Sequence, residues 1–134
     1  GVMNYIDMPA KRVMKDWPME VKWVPTAGKL TLKEADLKAY VKENANILFI
    51  YNTGRANLRK PQDYNLDNHI KRIEANASDL RFGVMWHWIV KNLYKEAKRK
   101  GLFETIPYMG GKSGIIIPSK NFKWYFRERQ WTTQ

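Results

Sequence analysis

The chain predicts an α/β fold, with α+β as the neighbouring class. We read residues 1–134 as a single domain on a mixed β-sheet with a βαβ crossover, a long helix and a C-terminal hairpin. Three stretches carry that expectation. Met19 to Trp23 alternates apolar and charged residues, the period of a strand. Ile47 to Tyr51, ILFIY, is a continuous apolar run too short for a helix and rich in strand formers, as in a buried central strand. Between them lies a helical pattern, and strand, helix, strand in that order implies a right-handed crossover with parallel pairing.

Taken in order, the first stretch is Asn4 to Trp23. Tyr5-Ile6 is a short apolar run ending at Asp7. Pro9 and Pro18 confine any helix between them to AKRVMKDW. In the strand that follows, Glu20 and Lys22 share one face while Met19, Val21 and Trp23 take the other. Pro25-Thr26-Ala27-Gly28 breaks the strand. Thr31-Leu32-Lys33-Glu34 matches a capping box, so a helix is expected from about Leu32 to Asn44, with Leu37, Tyr40 and Val41 as its apolar stripe. After ILFIY comes a polar loop over residues 52–66 carrying Arg55, Arg59 and Lys60. Asp67 suits the N-cap of a helix to about Ala77.

Ser78 can cap the long helix, from Asp79 to Lys100, in which Phe82, Trp86, Ile89, Leu93 and Ala97 recur at helical spacing and are expected to face the core. Gly101 is placed to stop it in the left-handed conformation. LFETIPY, a glycine-rich turn at Gly110 to Gly114 and GIIIP then read as a hairpin. That turn lacks the spacing of a nucleotide-binding P-loop and opens no helix. Asn121 to Trp131 mixes aromatic and basic residues, either as rings packed on the core or as a stacking and phosphate-contacting tail.

Composition bounds the partner. Lys and Arg total 24 against 13 Asp and Glu, a formal charge of +11, which makes a polyanion the default partner and nucleic acid the commonest one. DNA is favoured over RNA in this reading. No long apolar run or basic amphipathic tail supports a membrane partner. With no cysteine, disulfides and thiolate zinc sites are excluded, and the two histidines, His69 and His87, do not make a His-rich metal site. The N-terminus shows no basic-then-apolar signal, and the expectation is an intracellular protein.

One constellation carries chemistry. If a neighbouring strand brings Asp7 beside Glu20 and Lys22, two carboxylates can hold a hard divalent cation, Mg2+ or Mn2+, and the lysine can orient a water or steady developing negative charge. Asp7, Glu20 and Lys22, followed by a helix and an apolar strand, resemble the PD-(D/E)xK nuclease superfamily over residues 4–52. That resemblance implies metal-dependent phosphodiester cleavage. Asp7 and Glu20 would be the metal ligands, and Lys22 would help position the attacking water. Lys11, Arg12, Arg55, Arg59, Lys60, Lys112, Lys123 and Arg127 are the residues expected to guide the nucleic-acid backbone. A long helix followed by a basic-tipped hairpin also resembles a winged-helix domain, which makes a non-catalytic DNA- or RNA-binding protein the main rival. A basic protein docking on an acidic protein partner is the third class.

Overall fold

A computed structural model describes residues 18–130. Asp7, Lys11 and Arg12 lie outside the described residues, as does the segment between Pro9 and Trp17. The fold has mixed α/β character, and its strands divide between two sheets. The first has four strands in the order β1 (Met19–Val24), β3 (Asn46–Asn52), β4 (Leu80–Met85) and β7 (Arg129–Gln130). β1 and β3 pair in parallel, as the crossover predicts, with Lys22 opposite Phe49, while β3–β4 and β4–β7 are antiparallel. The second sheet is antiparallel, in the order β2 (Lys29–Lys33), β6 (Lys112–Pro118) and β5 (Glu104–Ile106), so the expected hairpin is present as β5 and β6.

Helix α1 (Glu34–Glu43) begins two residues later than the capping pattern predicts, because Lys29–Lys33 is spent in β2. Leu30 and Leu32 alternate with exposed or half-buried neighbours and pair with Ile117 and Ile115, so long-range pairing overrides the local signal. Thr31 accordingly caps nothing: its hydroxyl lies 2.7 Å from that of Tyr108. Glu34 does not reach back either; its carboxylate accepts from Ser113 Oγ at 2.8 Å. Helix α2 (Leu66–Ala75) is capped two residues before the expected cap Asp67, by Asn65, whose side chain accepts from the Asn68 amide at 3.2 Å. Its apolar Leu66 and Ile70 are exposed.

The long helix is the main correction. Residues expected to form its first two turns make β4 instead, and α3 runs only from His87 to Lys100. Phe82 belongs to the strand, and Trp86 becomes the residue before the helix. Leu93 and Ala97 do face the core, joined by Val90. Gly101 closes the helix at φ 65°, as its position predicts. The basic cluster at this end is partly neutralised: Glu96 sits 2.8 Å from Arg99 and 3.2 Å from Lys100, and Lys98 is 3.8 Å from Glu34.

The core lies between the inner faces of the two sheets and is shared by α1 and α3, which pack on each other. Ile47, Phe49 and Tyr51 supply its centre from β3, Leu37 and Tyr40 come from α1, and Ile115 and Ile117 come from the second sheet. A 3-10 turn at Ser119–Trp124 then brings Phe122 and Phe126 in as a lid. Phe126 stacks on Phe49 with ring centres 5.2 Å apart. Gly83 makes that possible, since a β-carbon there would collide with the Phe126 ring.

Candidate nucleic-acid interface

Strand period places Glu20 and Lys22 together, and they share the half-buried face of β1 that looks onto α1. The apolar set faces the other way, with Val21 56% and Trp23 39% exposed. Lys22 Nζ lies 3.7 Å from Asp36 Oδ2 and 5.5 Å from the centre of the Tyr40 ring, both on α1. Burial alone would lower the pKa of Lys22. The Tyr40 hydroxyl and the carboxylates of Asp36 and Glu20 outweigh it and hold the ammonium above its ordinary value. Asp36 also lines a concavity at the start of α1 with Lys33, Lys38 and Lys112, which brings Lys112 near the Lys22 cluster.

Lys22 already sits against Asp36, so a cation at that carboxylate meets like charge. Among the described residues no group of three or more His, Asp or Glu comes together in a metal-binding arrangement. Glu20 and Asp36 do not by themselves make a cation site, and Asp7 is outside the described residues.

The remaining basic residues named from the sequence fall in separate places. Arg55, Arg59 and Lys60 are exposed on the loop after β3, where Lys60 Nζ stands 4.0 Å over the Tyr64 ring. Lys112 is at the start of β6. Lys123 and Arg127 are brought together on one concave surface.

That surface is an open groove of about 560 Å3 between the end of β4, the start of α3 and the segment from Ser119 to Glu128. Its cations are Lys120, Lys123 and Arg127, all exposed. Its rings include Trp86, Tyr125 and Trp124, the last 67% exposed. Trp86 in turn stacks on Trp88, with centres 5.7 Å apart and planes 8° from parallel. The local cause is the 3-10 turn. Phe122 and Phe126 turn inward, Phe126 filling the space over Gly83, and Lys123, Trp124 and Arg127 are left outside. The rings of this segment divide accordingly, Phe122 and Phe126 packed on the core and Trp124 left exposed. Sequence reasoning missed Lys120 and placed Trp86 in the core. Trp86 and Trp124 are 38 positions apart, and no local pattern reports their meeting.

Among the described residues Glu128 is the groove's only acidic lining residue. Tyr51 donates its hydroxyl to Glu128 Oε2 at 2.7 Å, and Arg81 Nε lies 3.7 Å from Oε1. Burial, then that bond to a carboxylate, push the Tyr51 pKa well above its ordinary value, so the hydroxyl stays a donor. His87 is half-buried, edge-on to Trp88 at 5.1 Å, and its backbone amide donates to the Asn46 side chain at 2.8 Å. No helix among the described residues is long and apolar enough to cross a membrane. No family model matches the chain, and comparison with curated proteins and with solved structures gives no match.

Proposed function

We propose that this protein binds nucleic acid, laying a single strand along the groove of Lys120, Lys123, Arg127, Trp86 and Trp124. The observation that supports this best is the interleaving of three exposed cations with a ring as open as Trp124 on one concave surface. Cations there can track phosphates, and an exposed indole offers a face to any base, so binding is broad in sequence. The formal charge of +11 adds long-range attraction for the same partner. Fluorescence anisotropy with labelled single-stranded DNA, duplex DNA and RNA tests it. Single strands should bind best, with a log-log salt slope of about −2 if three phosphates are neutralised. Trp124→Ala should weaken binding by about 1 to 3 kcal/mol. Lys123→Ala with Arg127→Ala should flatten the salt slope. Binding that ignores salt, or that survives all three changes, removes this surface and favours a protein partner.

A second reading, metal-dependent phosphodiester cleavage, draws on Glu20 and Lys22 sharing one face beside Asp36. Mg2+ or Mn2+, when bound, would supply a Lewis acid for the phosphodiester. On this reading Glu20 and Asp7 would hold the metal, and the Lys22 ammonium would help position the attacking water. Incubation with duplex, single-stranded and branched DNA and with RNA, with and without each metal, is the check. Turnover lost in both Glu20→Ala and Lys22→Ala is the expected result. Turnover that persists in Glu20→Ala, or none on any substrate, leaves the non-catalytic binder.

A further inference from the structure

A second concavity, of about 300 Å3, lies beyond the carboxyl ends of the parallel strands β1 and β3. In open α/β sheets that edge is where ligands bind. Its walls are fixed by hydrogen bonds from three elements. Asn52 Nδ2 donates to Pro25 O at 3.0 Å, and the Ser119 amide donates to Gly28 O at 2.9 Å. Tyr51, held to Glu128, packs edge-on against Phe122 at 5.1 Å.

The chemistry of the lining narrows the ligand. Val24, Phe122 and the Tyr51 ring give apolar surface for a flat group. Lys29 and Lys120 bring positive charge, and Thr26, Thr53 and Ser119 bring hydroxyls. Among the described residues Glu128 is again the only acid in the lining, and Tyr51 and Arg81 orient it. A bare anion would meet repulsion from Glu128. A metal ion would find one carboxylate and two ammonium groups. A wholly apolar molecule would leave the charged groups desolvated without partners. What fits is a molecule anionic at one end, flat in the middle and hydrogen-bond donating at the other.

The cup and the groove also share a wall, since Ser119, Lys120, Phe122 and Glu128 line both. Lys120 therefore stands where a phosphate track along Lys123 and Arg127 would reach the cup. We propose that the cup receives one nucleotide of the bound strand, its phosphate toward Lys120 and the amino-bearing edge of its base on Glu128. This rests on the groove reading for the strand that delivers the nucleotide, but the cup is testable alone. A carboxylate accepting from an exocyclic amino group favours cytosine or adenine over uracil.

The experiment is amide chemical-shift titration of the full chain with CMP, AMP, UMP and ribose 5-phosphate, beside anisotropy with a single-stranded oligonucleotide. CMP and AMP should shift the amides of Tyr51, Asn52, Thr53 and Ser119, and ribose 5-phosphate should bind more weakly. Glu128→Gln should weaken CMP about tenfold and erase the preference over UMP, and Glu128→Ala should do the same if the glutamine variant proves unstable. Trp124→Ala should leave CMP binding within about twofold while weakening the oligonucleotide. No shift at those amides, or equal binding of CMP and UMP unchanged in both Glu128 variants, overturns the cup even if the oligonucleotide binds. CMP binding with no oligonucleotide binding would instead overturn the groove and keep the cup.

Discussion

Phe49→Ala should lower the free energy of unfolding by about 3 to 5 kcal/mol, the range for losing a buried phenyl ring. The upper half of that range is expected for a local reason. Phe49 is 1% exposed at the middle of β3, and the Phe126 ring stacks on it at 5.2 Å. Its partner across β4 is Gly83 and its partner on β1 is Lys22, so neither directly opposed residue brings an apolar side chain to fill the hole. Tyr51 and Phe122 flank the cluster, but each is fixed by the other and by Phe126. The cavity therefore stays open, and cavity volume sets the cost. Urea melts of Phe49→Ala against the parent chain are the measurement, with Trp124→Ala as the exposed control, expected within about 0.5 kcal/mol. Parity between the two variants would mean that β3 is not the central strand.

How far that architecture can be read from residues alone depends on which signal each element carries. β3 was legible because a strand covered on both faces is a continuous apolar run, and its parallel partner announces itself by period two. β4 was not, for the same physics in a different setting. LRFGVM is covered on both faces, so it shows no clean alternation. Phe82 and Trp86 happen to fall four apart, which fits a helix equally well. Gly83 was the residue that argued against the helix, since glycine costs about 1 kcal/mol in a helix interior. β2 was masked by a capping pattern that pairing with β6 overrode.

The candidate site divides in the same way. Glu20 and Lys22 were legible as neighbours on one face because period two is local. Their company, Asp36 and Tyr40, was not, because it depends on where α1 crosses β1. The groove was half legible. The mixture of rings and cations after Asn121 marked it as a candidate surface, whereas Trp86 and Lys120 join it only through tertiary structure.

Asn52→Ala should cost nearly as much as Phe49→Ala, although it removes only an amide. Asn52 is 1% exposed at the carboxyl end of β3. Its Nδ2 donates to Pro25 O at 3.0 Å and to Ala56 O at 2.5 Å, and its Oδ1 accepts from the Gly54 amide at 2.9 Å. One side chain thus ties the turn after β1 to the loop after β3, where the Leu58 amide adds a bond to Pro25 O at 3.1 Å. Alanine would strand two backbone groups, Ala56 O and the Gly54 amide, each at about 1 to 3 kcal/mol if it stays dry, while Pro25 O keeps its bond from the Leu58 amide. Water entering the gap would recover part of that, so a net loss of about 2 to 4 kcal/mol is expected, below the full sum. The two variants should differ in where the loss appears. Phe49→Ala weakens the whole core, so amide hydrogen exchange should accelerate throughout β3 and α3. Asn52→Ala removes a clasp at one edge, so exchange should accelerate first at Gly54, Ala56 and Leu58 and at the amides after Pro25, with the centre of β3 following only through global opening. The same edge forms the nucleotide cup, so the variant should also lose CMP binding while keeping the groove's affinity for an oligonucleotide within about threefold. Uniform acceleration with no focus on residues 53–58 would show that the loop is held by something other than Asn52.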